Sequence, residues 1–202
     1  MFGTIKGGGN MKKILFIDAC IRGENSRTKT LAESFLADYG QEVDRLNLME
    51  EGLHYFSGEF FWQRERLLEE KNLNHPRFRY AHQFAKADKI VIAAPFWDLS
   101  FPAILKVYLE NISVDSITFA VNEKGIFGLC KAEKMLFITT RGGSYENDEM
   151  EMGVRTLKAM AKFFGIKKFI AYGVDGMDEG KVPVEELLNK AKRELKELAK
   201  NF

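Results

Sequence analysis

Three short stretches of this sequence carry side chains that could do chemistry together. The first, Cys20 to Thr28 (CIRGENSRT), closes on Ser26, Arg27 and Thr28, two hydroxyls around a guanidinium where a helical pattern begins. The unpaired amides and dipole of a helix N-terminus attract an anion such as phosphate, and Arg27 would add a charge-assisted hydrogen bond. Ser26 with Thr28 is also the composition of a plain helix cap. The second stretch, Pro95 to Ser100 (PFWDLS), puts Phe96 and Trp97 where an apolar wall would flank a planar ring, with the amides from Phe96 to Leu99 near that ring's polar edge. Core packing of the two aromatics is the competing reading. In the third, Thr140 to Tyr145 (TRGGSY), Gly142 and Gly143 allow close backbone approach and Arg141 could stabilise a developing negative charge; an ordinary turn has the same composition.

Other chemistries find no footing. There is no GxxxxGK[ST] phosphate loop and no GxGxxG dinucleotide turn. His54, His75 and His82 stand at no metal-ligand spacing, so no metal is assigned. Asp18 stands alone within its strand, without the paired acidic cluster that a phosphoacceptor receiver domain would need.

The elements that must position these loops follow from periodicity. Apolar runs at Ile14–Ala19 and Ile90–Ala94 read as strands, the latter continuous enough to be covered on both faces, with Lys134–Thr139 and Lys168–Val174 as further strands and Val43–Leu48 as a weaker edge strand. Helical spacing of apolar residues follows each loop: Leu31 to Tyr39 with Gly40 as a stop, Phe101 to Ile112, Met150 to Phe164 from a start near Asp148, and Leu187 to Leu198 after Pro183. Glu59 to Lys71 predicts a charged helix and Arg79 to Ala87 a short one, while Ser116 to Leu129 alternates as an extended excursion or small hairpin. Strands alternating with helices imply an α/β fold, a three-layer doubly wound sheet of five parallel strands in the order 2-1-3-4-5. Its switch point, between strands 1 and 3, sets the first two loops side by side with the third next along.

The length of 202 residues fits a single domain over residues 12–202, and residues 1–11, with three consecutive glycines, read as a flexible leader or a start assigned too early. A formal charge of +1 gives no broad field for nucleic acid, and no run approaches the roughly 20 apolar residues of a membrane span. Two cysteines without paired spacing, Cys20 and Cys130, point to reduced thiols in the cytoplasm.

Together the segments SRTKTLAESFL, APFWDLSFPAILKVYLENI, ITFAVNEKGIFGL and MLFITTRGGSY, in this order, resemble the FMN-dependent NADH-azoreductase and NAD(P)H:quinone oxidoreductase family of flavodoxin-like fold, from Lys12 to about Tyr172. The resemblance implies that Ser26, Arg27 and Thr28, with Cys20 nearby, hold the FMN phosphate. It implies that Phe96, Trp97, Asp98 and Leu99, opened by Pro95, run along the isoalloxazine. Thr140, Arg141, Gly142 and Gly143, closed by Tyr145, would meet its pyrimidine end. Hydride would pass from NADH or NADPH through flavin N5 to a quinone, azo or nitro compound in ping-pong fashion, with no obligate catalytic side chain. Phe56, Phe60, Phe119 and Phe127, with Tyr55, Phe61 and Trp62, would wall the exposed face of the flavin, partly from a second subunit of a homodimer. Two positions depart from the family's habit: Asp98 stands where Asn is common, and Cys20 where a hydroxyl is. An ionised Asp98 would lower the flavin potential unless it points elsewhere or Arg141 offsets it. An FMN-binding electron carrier that does not itself oxidise NAD(P)H is the alternative, against which the balanced charge counts.

Overall fold

The structure, a computed structural model, describes residues 13–202; the expectation for residues 1–11 lies outside them. Strand β1 (Ile14–Asp18) leads to helix α1 (Arg27–Tyr39), and β2 (Val43–Asn47) to two successive helices, α2 (Gly58–Glu69) and α3 (Arg79–Lys86). Next come β3 (Lys89–Ala93), α4 (Ala103–Ile112), a hairpin of β4 (Phe119–Asn122) and β5 (Gly125–Gly128), then β6 (Lys134–Thr140), α5 (Met152–Phe163), β7 (Lys168–Val174) and α6 (Val184–Asn201). The main sheet is parallel throughout in the order β2-β1-β3-β6-β7. Numbered among themselves, these five strands run 2-1-3-4-5 as expected, and the excursion after α4 is an antiparallel hairpin outside the sheet.

The apolar strands divide their side chains by the period of two that pleating imposes. Leu15 and Ile17, Ile90 and Ile92, and Met135 and Phe137 pack on one face with Phe84 of α3, Leu105 and Tyr108 of α4 and Leu157 of α5. Ile14 and Phe16, Val91 and Ala93, and Leu136 and Ile138 pack on the other with Leu31 and Phe35 of α1 and Leu195 of α6. A one-residue slip would exchange the two sets, and at roughly 1.5–3 kcal/mol per buried large side chain the register is strongly fixed.

Two boundaries bear on the site. Helix α1 begins where the Ser26 hydroxyl accepts from the Lys29 amide at 3.3 Å, and it stops at Gly40, whose φ of 68° suits a residue without Cβ. Helix α5 begins at Met152, later than the expected Asp148, because the Asp148 carboxylate accepts from the Met150 amide in a turn and the Glu151 carboxylate caps the helix through Val154 N at 2.8 Å. The β6–α5 connection is therefore a long structured loop that ends on a buried carboxylate.

Candidate cofactor site

At β1 the chain turns from one side of the sheet to the other, so the loops after β1 and β3 diverge beyond the carboxyl ends of their strands and leave a crevice. A cavity of about 90 Å³ lies there, lined by all three predicted loops. From the first come Ser26, Arg27 and Thr28, from the second Pro95, Phe96 and Trp97, and from the third Thr140, Arg141 and Gly142.

Local chemistry explains how the loops meet. The hydroxyls of Thr28 and Thr140, both buried, lie 2.7 Å apart and tie the start of α1 to the end of β6. Phe96 N donates to Thr140 O at 3.1 Å, tying the second loop to the same point. Trp97 and Ser100 exchange two backbone hydrogen bonds, of 3.2 and 2.8 Å, around Asp98 and Leu99 at φ 48° and 64°. That is a two-residue turn of the mirror-image class, normally built from Asn and Gly, and holding Leu in it costs about 1–2 kcal/mol. Met152 N, at the start of α5, donates to Leu99 O at 2.9 Å and steadies the turn. The Phe96 and Trp97 amides are thus used within the protein, which leaves Asp98 and Leu99 to supply donors to a ligand edge.

The first turn of α1 contains no acidic side chain, and Arg22 and Arg27 bring two cations to the cavity. Opposite them stands Asp178, whose Oδ1 is 2.7 Å from Arg27 Nη1; the same nitrogen lies 3.3 Å from Met177 O. Asp178 N donates to Gly142 O at 2.9 Å, and a Cβ at Gly142 would come within 2.7 Å of Asp178 Oδ2. Lys29 sits just behind, between Glu24 Oε1 at 2.6 Å and Asp18 Oδ2 at 3.5 Å, and its pKa is raised first by the bond to Glu24.

Several expected residues take other positions. Cys20 does not line the cavity: it is fully buried, its thiol directed at Ala93 O 3.5 Å away, and burial, then the Asp18 carboxylate, push its pKa far up. Arg141 does not offer a free charge. Its guanidinium is buried and turned beneath the loop, with Nη1 2.6 Å from Asp175 Oδ1 and Nη2 3.8 Å from Glu151 Oε1. Asp98 and Leu99 are exposed on the rim, while Gly143 and Tyr145 stand one layer back, the Tyr145 ring 4.7 Å from that of Phe96. Phe56, Phe60, Phe119 and Phe127 do not reach this cavity within the chain. Phe56 lines a separate groove with Leu109, Met160 and Phe163; Arg77 lies 3.5 Å over the Phe60 ring; Phe119 packs 4.7 Å from Phe163; and Phe127 is exposed. Conversely, Arg22, Asn25, Met177 and Asp178 line the cavity without having been assigned from sequence. The run Asp175-Gly176-Met177-Asp178 after the last strand was a readable signal, since ligands of such sheets sit beyond strand carboxyl ends and β7 adjoins β6.

This geometry, a wound parallel sheet with an anion-accepting helix start beside an aromatic loop at its switch point, is that of an open α/β protein with its ligand crevice beyond the strand carboxyl ends. A family described as having a flavodoxin-like fold matches residues 12–199, beyond the stretch from Lys12 to about Tyr172 that carries the resemblance. An FMN-dependent NADH:quinone oxidoreductase of Clostridium perfringens is 38% identical over 198 residues, covering 95% of this chain and 100% of its own. One of the same description from Caldicellulosiruptor saccharolyticus is 35% identical over 201 residues, covering 95% and 100%. Among solved structures, the azoreductase of Bacillus anthracis strain Sterne superposes with a TM-score of 0.83 at 28% identity, covering 95% of this chain and 100% of that one. An FMN-dependent NADH-azoreductase from Bacillus anthracis strain Ames Ancestor, in complex with FMN, gives 0.82 at 25% identity, covering 95% and 99%. The chain belongs to the flavodoxin-like family of FMN-dependent NADH:quinone oxidoreductases and NADH-azoreductases.

Proposed function

We propose that residues 12–202 form one FMN-binding domain that oxidises NADH or NADPH and reduces quinones, azo or nitro compounds, the two half-reactions alternating in ping-pong order. The observation that carries this reading is the convergence of three loops on one anion-accepting cavity with an aromatic rim. The residues fit FMN. Ser26, Thr28 and the first amides of α1, with Arg22 and Arg27, suit a dianionic phosphate, and Gly142 makes room for the Asp178 carboxylate, which a Cβ there would meet at 2.7 Å. Phe96 and Trp97 suit a flat ring, and the Asp98 and Leu99 amides its polar edge. FMN, when bound, supplies the hydride-accepting and hydride-donating chemistry. The protein's part is to bind and orient. Arg27 fixes the phosphate, the Trp97–Ser100 turn holds the rim, and the exposed Asp98 carboxylate disfavours added negative charge beside it, an effect that Arg141, neutralised by Asp175, does not cancel.

The aromatic wall of the substrate side is assigned to a second copy of the chain. Tyr55, Trp62 and Phe127 are 68%, 59% and 43% exposed, and large apolar side chains left bare at the surface support a homodimer. No described helix is long and apolar enough to cross a membrane. The two free cysteines support a reducing compartment, the cytoplasm.

The test is to purify the protein with FMN, record its visible spectrum, identify the released flavin by mass, and follow NADH oxidation with a quinone. A yellow protein with turnover and parallel double-reciprocal plots is expected. Bound flavin without turnover would make it an electron carrier; no flavin retained at excess FMN would refute the reading. Light scattering in solution should give twice the 23.1 kDa chain mass.

A further inference from the structure

Arg141 is a cation buried at 4% exposure whose charge the chemistry above does not use, and the structure shows where that charge goes. Its Nη1 bonds Asp175 Oδ1 at 2.6 Å, and the other oxygen of Asp175 accepts the amides of Tyr145 and Glu146, each at 2.7 Å. Its Nη2 faces the buried Glu151, 3.8 Å away, whose second oxygen caps α5 at Val154 N. Met152, the first residue of that helix, holds the Leu99 carbonyl. The Arg141 backbone completes the arrangement, donating to Val174 O at 2.9 Å and accepting from Met177 N at 3.0 Å. One side chain therefore touches groups that fix three loops of the cavity: the one after β6 through Tyr145 and Glu146, the one after β7 through Asp175, and the Asp98–Leu99 turn through Glu151 and the start of α5. A planar guanidinium that bonds one carboxylate through Nη1 and holds a second, Glu151, in ion-pair range through Nη2, without a hydrogen bond to it, is an arrangement a lysine's single ammonium does not reproduce. The slot is bought at Gly173 of the neighbouring strand, where a Cβ would overlap the guanidinium.

We propose that Arg141 is a positioning residue, which sets the mutual register of the loops after β3, β6 and β7 at the flavin cavity through Asp175 and Glu151, and that Gly173 is glycine to admit it. The role replaces direct contact with the pyrimidine end, and it rests on the FMN reading above. It differs from an ordinary buried ion pair in what it transmits. Loosening the fork should move the Leu99 turn as well as the Tyr145 loop, though no bond joins Arg141 to Leu99 itself.

The experiment compares the parent with Arg141→Lys and Gly173→Ala, neither of which alters a proposed flavin donor. FMN affinity is read by fluorescence quenching, and amide exchange at Tyr145, Glu146 and Met152 by NMR or mass spectrometry on the flavin-free protein. Both variants should bind FMN at least tenfold more weakly, with exchange at all three amides at least tenfold faster, while amides of β1 and β3 keep their protection. Affinity within twofold of the parent in either folded variant overturns the proposal. So does lowered thermal stability with FMN affinity and Met152 exchange unchanged, the signature of a purely structural pair. Should Arg141→Lys fail to fold, Gly173→Ala decides alone. A parent that binds no FMN strikes the cofactor reading, and the exchange measurements then decide the positioning role by themselves.

Discussion

Replacing Asp178 by Asn isolates a conflict built into the cavity. Asp178 is anchored through its backbone, N to Gly142 O at 2.9 Å, so the isosteric change removes a charge and leaves the loop in place. In the flavin-free protein its carboxylate holds Arg27 at 2.7 Å, with side chains 36% and 67% exposed. A pair that open to solvent is worth about 0–1 kcal/mol. A phosphate that recruits Arg27 must break or share this pair and must also sit beside the carboxylate, so both terms oppose binding. Removing the charge should therefore tighten FMN about two- to fivefold, 1 kcal/mol being roughly a factor of five. Riboflavin, which lacks the phosphate, should bind unchanged. Arg27→Gln should weaken FMN roughly tenfold, since a hydrogen bond to a charged group contributes about 1.5–3 kcal/mol and the lost pair returns part of it. Titration by flavin fluorescence quenching at 0.05 M and 0.5 M salt measures all three, and the Asn effect should shrink at high salt as screening shortens. Weaker FMN binding to Asp178→Asn, or an equal change for riboflavin, would show that Asp178 contacts the ribityl chain or ring, and the competition argument would fail.

Three further outcomes are expected. Leu99→Gly should raise stability by about 0.5–1 kcal/mol, because relief of the left-handed backbone exceeds the extra unfolded-state entropy of glycine; a melting temperature higher by about 1–4 °C checks it. Gly128→Ala should cost about 2 kcal/mol or more and loosen the β4–β5 hairpin, since the added Cβ would overlap backbone atoms of Phe164 and Gly165, which cannot swing aside; urea unfolding and exchange at Phe119–Gly128 read it. Burial pushes the Cys130 thiol up to about 12, and burial followed by the Asp18 carboxylate raises Cys20 further. The native state thus keeps protons that unfolded thiols release above about pH 8.5, so stability should fall from there toward pH 12, by up to about 1.4 kcal/mol per pH unit for each thiol. A Cys20→Ala, Cys130→Ala double variant should flatten that slope in urea midpoints between about pH 8.5 and 10, above which buried tyrosines such as Tyr108, whose pKa burial also raises, sustain it.

The fold was legible because burial on both faces leaves a plain trace: ILFID, KIVIA and KMLFITT are apolar nearly throughout, as covered parallel strands must be. Val43 to Asn47 carries one fully buried side chain, Leu46, and its weak pattern matches its place at the sheet edge. Helix α5 starts later than its helical spacing implies because Asp148 is spent in a turn on Met150 N, whereas the Glu151 carboxylate caps the helix at Val154 N.

The site was legible only in its local half. Ser26, Thr28 and Thr140 report themselves by type and place, since a hydroxyl at a strand end or helix start has little else to do. The arginines do not, because what a guanidinium does depends on which carboxylate claims it, and those partners lie far along the chain: Asp178 for Arg27, 151 residues on, and Asp175 for Arg141, 34 residues on. Both partners come from the one turn after β7, which adjoins β6 only once the sheet has assembled. Sequence therefore showed two cations near one crevice and could not separate them. The structure divides the work by burial: the half-exposed Arg27 can exchange its carboxylate for an incoming phosphate at small cost, whereas Arg141, dry and held by two carboxylates, cannot leave them without stranding buried charge. The exposed pair suits binding and the buried one suits alignment, so on this reading the same residue type would serve two tasks at one cavity.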